Sequence, residues 1–212
     1  MVTPQDHEYA VMGGVERAKI GRYLSIVSSV ISAGLVFSLL SVVDLAKTSG
    51  LNVNVPPAVL SLLGAGMVFG GLCWILSKYA WKWPLIDRLL KVPNLAGIWD
   101  CQGESLHLDG TVAYQWNGEV TIVQSWDKLR IRLKTAHSGS SSMAAALATD
   151  SVDGYVLLYQ YRNDPKVGES TLASHMGCAV VTIANDLTLA TAEYFNGGSR
   201  GTFGKMNWTK RL

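Results

Sequence analysis

Leu24-SIVSSVISAGLVFSLLSV-Val43 runs for 20 residues without a charged side chain, and Pro57-AVLSLLGAGMVFGGLCWIL-Ser77 does so again for 21. An apolar run of about 20 residues is what a helix needs to cross a hydrocarbon core of about 30 Å. The two runs predict transmembrane helices over 23–43 and 57–77, joined by a short loop over 44–56. The first is not followed by a small-residue cleavage site and a soluble chain; a second apolar span follows instead, so the first does not read as a signal peptide.

Charge orients the hairpin. Arg17, Lys19 and Arg22 precede the first span, and Lys78, Lys82, Arg88 and Lys91 follow the second; the connection holds Lys47 and Asp44. Positive flanks stay in the cytoplasm. The expected organisation is a cytoplasmic segment over 1–22, a periplasmic loop over 44–56, a juxtamembrane linker over 78–93 and a cytoplasmic domain over 94–212. Tyr79, Trp81 and Trp83 stand where interfacial anchors stand. Neither span carries an Asp, Glu, Lys, Arg or His, which argues against a proton-coupled transporter. Ser25, Ser29 and Ala33 in the first span, and Gly66 and Gly70 in the second, have the spacing that lets helices approach closely in lipid.

Mean hydropathy is +0.21 and only 16% of residues are charged, against about 25% in soluble domains. The excess sits at the N-terminal end. Residues 1–93 carry eight Lys/Arg and five Asp/Glu, and residues 94–212 carry ten against eleven. A near-neutral C-terminal half does not read as a DNA or RNA binder. Cys73, Cys101 and Cys178 form neither a disulfide framework nor a metal pair, and read as structural thiols in a reducing compartment.

From Asn94 onward the pattern changes to short alternating runs separated by turn signals. Eight strands are expected: 95–104, 113–125, 128–136, 142–149, 155–162, 174–184, 188–195 and 202–209, with Ser138 to Ser141 read as a turn. Eight antiparallel strands in about 120 residues fit a small closed β-barrel, with a β-sandwich as the rival. The fold class is therefore a membrane α-helical hairpin of two transmembrane helices plus an all-β domain, a small eight-stranded antiparallel β-barrel. Lys128-Leu-Arg-Ile-Arg-Leu-Lys134 alternates strictly; its basic face suits water, or else an anionic lipid or ligand.

Several short motifs recur in a familiar order: Leu95-Ala-Gly-Ile-Trp99, Gln124-Ser125, Ser138-Gly-Ser-Ser-Ser142, Tyr159-Gln-Tyr161-Arg-Asn163, His175-Met-Gly177, Ala192-Glu-Tyr194-Phe and Ser199-Arg-Gly-Thr202. With two helices ahead of them, they resemble the two-transmembrane β-barrel effectors of bacterial cyclic-oligonucleotide anti-phage signalling systems (CBASS). The resemblance implies a partner nucleotidyltransferase that makes a cyclic dinucleotide and a barrel that binds it. It further implies self-assembly of the liganded chains, disruption of the inner membrane and abortive infection. Such a protein needs no cofactor beyond its activating ligand; its partners are membrane lipids, itself and the cyclic dinucleotide.

A cyclic dinucleotide offers two phosphates and two bases, so its site calls for cationic or hydroxyl donors and aromatic planes. Trp99, Tyr159, Tyr161 and Tyr194 are the stacking candidates. Arg162 and Arg200 are candidate phosphate partners, with Ser140, Ser142 and Thr202 as hydroxyl donors and His175 as a donor to either part. Catalysis is not expected. Gly197-Gly-Ser-Arg-Gly201 matches a nucleophile-elbow pattern, but that motif needs a strand-to-helix turn and a histidine later in the chain. His7, His107, His137 and His175 lack metal-ligand spacing. The alternative reading is a membrane-anchored carrier or scaffold whose barrel holds a lipid or a protein partner.

Overall fold

The computed structural model describes residues 6–51, 53–62, 64–150, 154–169, 173–198 and 201–211. The chain forms two compact units, Val15–Trp81 and the combination of Met1–Gly14 with Lys82–Leu212.

In the first unit, α1 (Arg17–Thr48) is 32 residues long. It is the one helix among the described residues long and apolar enough to cross a membrane. The second apolar stretch is not the continuous helix expected over 57–77. It consists of α2 (Pro57–Leu62) and α3 (Ala65–Lys78). Gly64, at φ −61° and ψ 152°, is extended and caps α3. Glycine is a poor helix former because it loses the most backbone entropy on ordering. α1 contacts α3. The buried small residues of α1 are Ser28 and Ser32; the expected face, Ser25, Ser29 and Ala33, is exposed. A Cβ added at Gly66 or Gly70 would meet open space, so neither glycine serves a close helix approach here.

In the second unit the eight expected strands are present: β2 (Gly97–Leu106), β3 (Val112–Gln124), β4 (Lys128–Thr135), β5 (Ser138–Asp150), β6 (Gly154–Pro165), β7 (His175–Ile183), β8 (Leu189–Asn196) and β9 (Phe203–Lys210). Each pairs antiparallel with its sequence neighbour, and β2 pairs with β9. The sheet closes into a barrel. Ser138–Ser141 is not the expected turn: it opens β5, and Ser140 pairs with both Leu133 and Asn163. Inward residues alternate with outward ones, as the pleat demands. Trp99, Cys101, Val120, Ile122, Leu129, Ile131, Leu147, Leu157, Val181, Ile183 and Trp208 form the packed core.

A ninth strand comes from the other end of the chain. β1 (His7–Met12) lies in the segment read from sequence as a plain cytoplasmic leader. It pairs antiparallel with β4 and parallel with β5, and Tyr9 is buried. The β-domain is therefore not confined to 94–212. The linker before β2 is itself ordered, with a 3₁₀ turn (Ala80–Lys82) and α4 (Pro84–Leu90). Gln124 anchors its end: its Oε1 accepts from the Leu95 N–H at 2.8 Å and its Nε2 donates to the Pro93 carbonyl at 3.0 Å.

Candidate functional site

A cavity of about 710 Å³ opens at one end of the barrel, within the few-hundred to 1,000 Å³ range of small-ligand sites. Its wall is built by a repeated device. Three of its large aromatic side chains have a glycine as a direct cross-strand partner. Trp116 on β3 faces Gly103 on β2, Tyr161 on β6 faces Gly177 on β7, and Tyr194 on β8 faces Gly204 on β9. A Cβ on Gly103 would collide with the Trp116 ring, and one on Gly177 would stand 2.5 Å from the Tyr161 phenol oxygen. The missing side chains let each ring lie across the neighbouring strand.

The tyrosines use that reach identically. Tyr161 crosses Gly177 and donates to Oδ1 of Asn196 at 2.8 Å. Tyr194 crosses Gly204, and its phenol shares a 2.7 Å hydrogen bond with the Ser105 hydroxyl on β2. Trp116 packs edge-on to Tyr194 at 6.0 Å, and Tyr159 lies 5.7 Å from Tyr161. Burial pushes the phenol of Tyr159 well above its ordinary range, with smaller contributions from Tyr161 and Cys101. Tyr159 therefore stays neutral at physiological pH. At the rim, the His137 Nδ1 lies 2.7 Å from a Glu169 carboxylate oxygen.

Of the residues singled out from sequence, Ser140, Tyr159, Tyr161, His175 and Tyr194 line this cavity. The others do not. Trp99 is fully buried in the core; its indole N–H donates to the Leu95 carbonyl at 3.1 Å, and its ring packs edge-on to Trp208. It stands four residues, roughly 13 Å of strand, from Gly103. Ser142 is occupied at the barrel seam, where its hydroxyl accepts from the Ile131 N–H at 2.9 Å and meets His7 Nε2 at 2.7 Å. Arg162 follows Tyr161, so strand alternation turns it outward, where it pairs with Asp164 at 3.1 Å. Thr202 holds Asn196 in place: its Oγ1 accepts from Asn196 Nδ2 at 2.7 Å, and its carbonyl accepts from the Asn196 N–H at 2.7 Å. Arg200 lies outside the described residues.

Sequence reasoning missed Trp116, Asn163 and Asn196, all of which line the cavity. Asn163 was within reach, since it shares the inward face of β6 with Tyr159 and Tyr161 at spacing two. The glycines were the signal for the wall, because a glycine inside a strand marks a close approach.

Comparison with known proteins decides the family. Residues 90–210 match the family described as "Cap15, cyclic dinucleotide receptor domain", and residues 18–82 match "Cap15, TM helices". This chain belongs to the Cap15 family. A relative, "CD-NTase-associated protein 15" of Yersinia aleksiciae, is 41% identical over 206 residues, covering 97% of this chain and 98% of its own length. The cavity lies wholly inside the stretch matching the Cap15 receptor domain. The resemblance drawn from the motif order, and the pairing of apolar helix with all-β domain, both hold.

Proposed function

We propose that this Cap15 family member is a membrane effector of an antiviral CBASS system whose barrel cavity binds a cyclic dinucleotide made by a partner nucleotidyltransferase. Ligand binding drives self-assembly, and the assembled helices disrupt the inner membrane and halt the infected cell. The barrel faces the cytoplasm, and the two apolar stretches form a hairpin with both ends inside. The chain acts as a receptor and performs no catalysis of its own.

The observation that carries this reading is the cavity wall. Tyr159, Tyr161, Trp116 and Tyr194 supply planes on which bases stack, each such contact worth about 1–3 kcal/mol. Ser140, Asn163, Asn196 and His175 supply hydroxyl, amide and imidazole groups for phosphate and base edges. A ring of polar groups of this kind suits a small polar anion better than a lipid tail.

The test uses the full chain in anionic liposomes, titrated with cyclic dinucleotides that carry adenine, guanine and uracil in all pairings. At least one should bind, convert the protein to larger assemblies and release an entrapped dye. Absence of binding across the panel overturns the reading. So does placement of the barrel in the periplasm by protease accessibility.

A further inference from the structure

We propose that β1 is a releasable latch: a ligand in the cavity frees the His7–Met12 strand from the seam between β4 and β5 and so reports occupancy to helix α1. This rests on the reading of the cavity as the ligand site.

The seam is forked. At the cavity end β4 and β5 pair directly, Arg132 with Ser141, Leu133 with Ser140 and Lys134 with Gly139. The register of β5 then shifts between Ser142 and Ala144, leaving Met143 as an exposed bulge. Beyond the bulge β1 fills the gap, with His7 and Glu8 paired to Leu129 and Lys128, and Tyr9–Met12 parallel to Ala145–Ala148. Eight strands thus close the ring without β1. Its departure opens the barrel only at the end away from the cavity.

The same two strands serve both places. Leu133 and Thr135 of β4, and Ser138 and Ser140 of β5, line the cavity. Ser142, two residues along from Ser140, is the joint: its hydroxyl holds the Ile131 N–H of β4 and the imidazole of His7. A ligand that engages Ser140 and its neighbours repositions the strand on which β1 rests.

The latch is held by six ladder positions on β4 and β5, by the buried Tyr9 side chain and by a few polar contacts. Asp6 and Arg130 form a partly exposed ion pair at 3.2 Å, a type of contact that contributes little. His7 reaches Ser142, and Tyr9 donates to the Ser125 and Trp126 carbonyls at 3.2 and 3.0 Å. Only four residues, Gly13 to Glu16, separate β1 from the start of α1 at Arg17. That tether spans at most about 14 Å, so movement of β1 is delivered to the helix. Release also uncovers the edges of β4 and β5, whose unpaired N–H and C=O groups are templates for a strand from a neighbouring copy.

Linkage supplies the test. A ligand that favours the released state must bind more tightly when the latch is weak and less tightly when it is locked. Ala10 and Ala146 are direct partners, so the full-length pair Ala10→Cys with Ala146→Cys fastens β1 when oxidised. In liposomes, oxidised protein should bind the cyclic dinucleotide about tenfold more weakly than reduced protein and should neither assemble nor release dye; reductant should restore both. His7→Ala, which leaves the core untouched, should bind severalfold more tightly and assemble at lower ligand concentration. Amide exchange at Tyr9–Met12 should accelerate at least tenfold on ligand binding. If the oxidised pair assembles like wild type, or exchange is unchanged while ligand is bound, the latch is wrong and the receptor reading stands. If no member of the panel binds wild type, the receptor reading and the latch fall together.

Discussion

The phenol of Tyr161 donates to Asn196 at 2.8 Å across the full width of β7, passing over Gly177. Three strands are thereby tied at the mouth of the cavity by one side chain. The tie depends on the glycine, since a Cβ there would stand 2.5 Å from the phenol oxygen and 2.7 Å from the Phe195 carbonyl. Gly177→Ala should therefore displace the ring and cost about 1–3 kcal/mol, the usual range for overpacking. Chemical denaturation measures the stability, and titration with the cyclic dinucleotide should show a parallel loss of affinity. An alanine variant with unchanged stability would mean the ring has another resting place.

Tyr161→Phe and Tyr194→Phe separate the hydroxyl from the ring. Each removes the phenol's hydrogen bond to Asn196 or to Ser105, and should cost about 1 kcal/mol of stability. Tyr194→Phe should cost the more, because its Ser105 partner is almost fully buried and would be left unsatisfied, whereas the Asn196 Oδ1 that loses its donor belongs to a half-buried residue lining the cavity, within reach of water. Equal losses in denaturant would argue against that ranking.

Much of this architecture is written in local pattern. The strands of the barrel announce themselves by period-two alternation, and the order and pairing of hairpin neighbours follow from the short turns between them. Where sequence reasoning failed, the cause was non-local. His7-Glu-Tyr-Ala-Val-Met12 is too short and isolated to read as a strand; its partners lie more than 100 residues away, and only they stabilise it. Ser138–Ser141 has turn composition, yet it pairs on both sides as a strand, a case of tertiary context overriding propensity. Trp99 and Trp116 illustrate the same limit for the site. Both are aromatic residues on inward faces, and only position along the barrel axis makes one core and the other cavity wall.

Cys101 offers a handle on the packed half of the barrel. Burial pushes its thiol up to about 12. The unfolded chain gives up this proton near pH 9 while the folded chain holds it, so the native state binds more protons in that interval. Stability should fall as pH rises from about 9 toward 12. Cys101→Ala should lessen the dependence in denaturation curves taken across that window, most clearly between about pH 9 and 10, below the range where the raised Tyr159 phenol adds its own fall. At pH 8, a thiol reagent should label the half-buried Cys178 before Cys101, as mass spectrometry would report.

The two tryptophans give the sharpest contrast between fold and site. Trp99 is wholly buried and packs on Trp208, so Trp99→Ala should cost about 3–5 kcal/mol by leaving a cavity that the rigid sheet cannot close. Trp116 is only half-buried at the mouth, where it contacts Tyr194 and overlies Gly103. Trp116→Ala should therefore spare most of the stability while removing a stacking plane, with a binding loss of about 1–3 kcal/mol. Denaturation and calorimetric titration on the same two variants separate the roles. If Trp116→Ala unfolds the barrel as readily as Trp99→Ala does, the mouth is core after all; if it binds ligand as wild type does, the bases stack elsewhere.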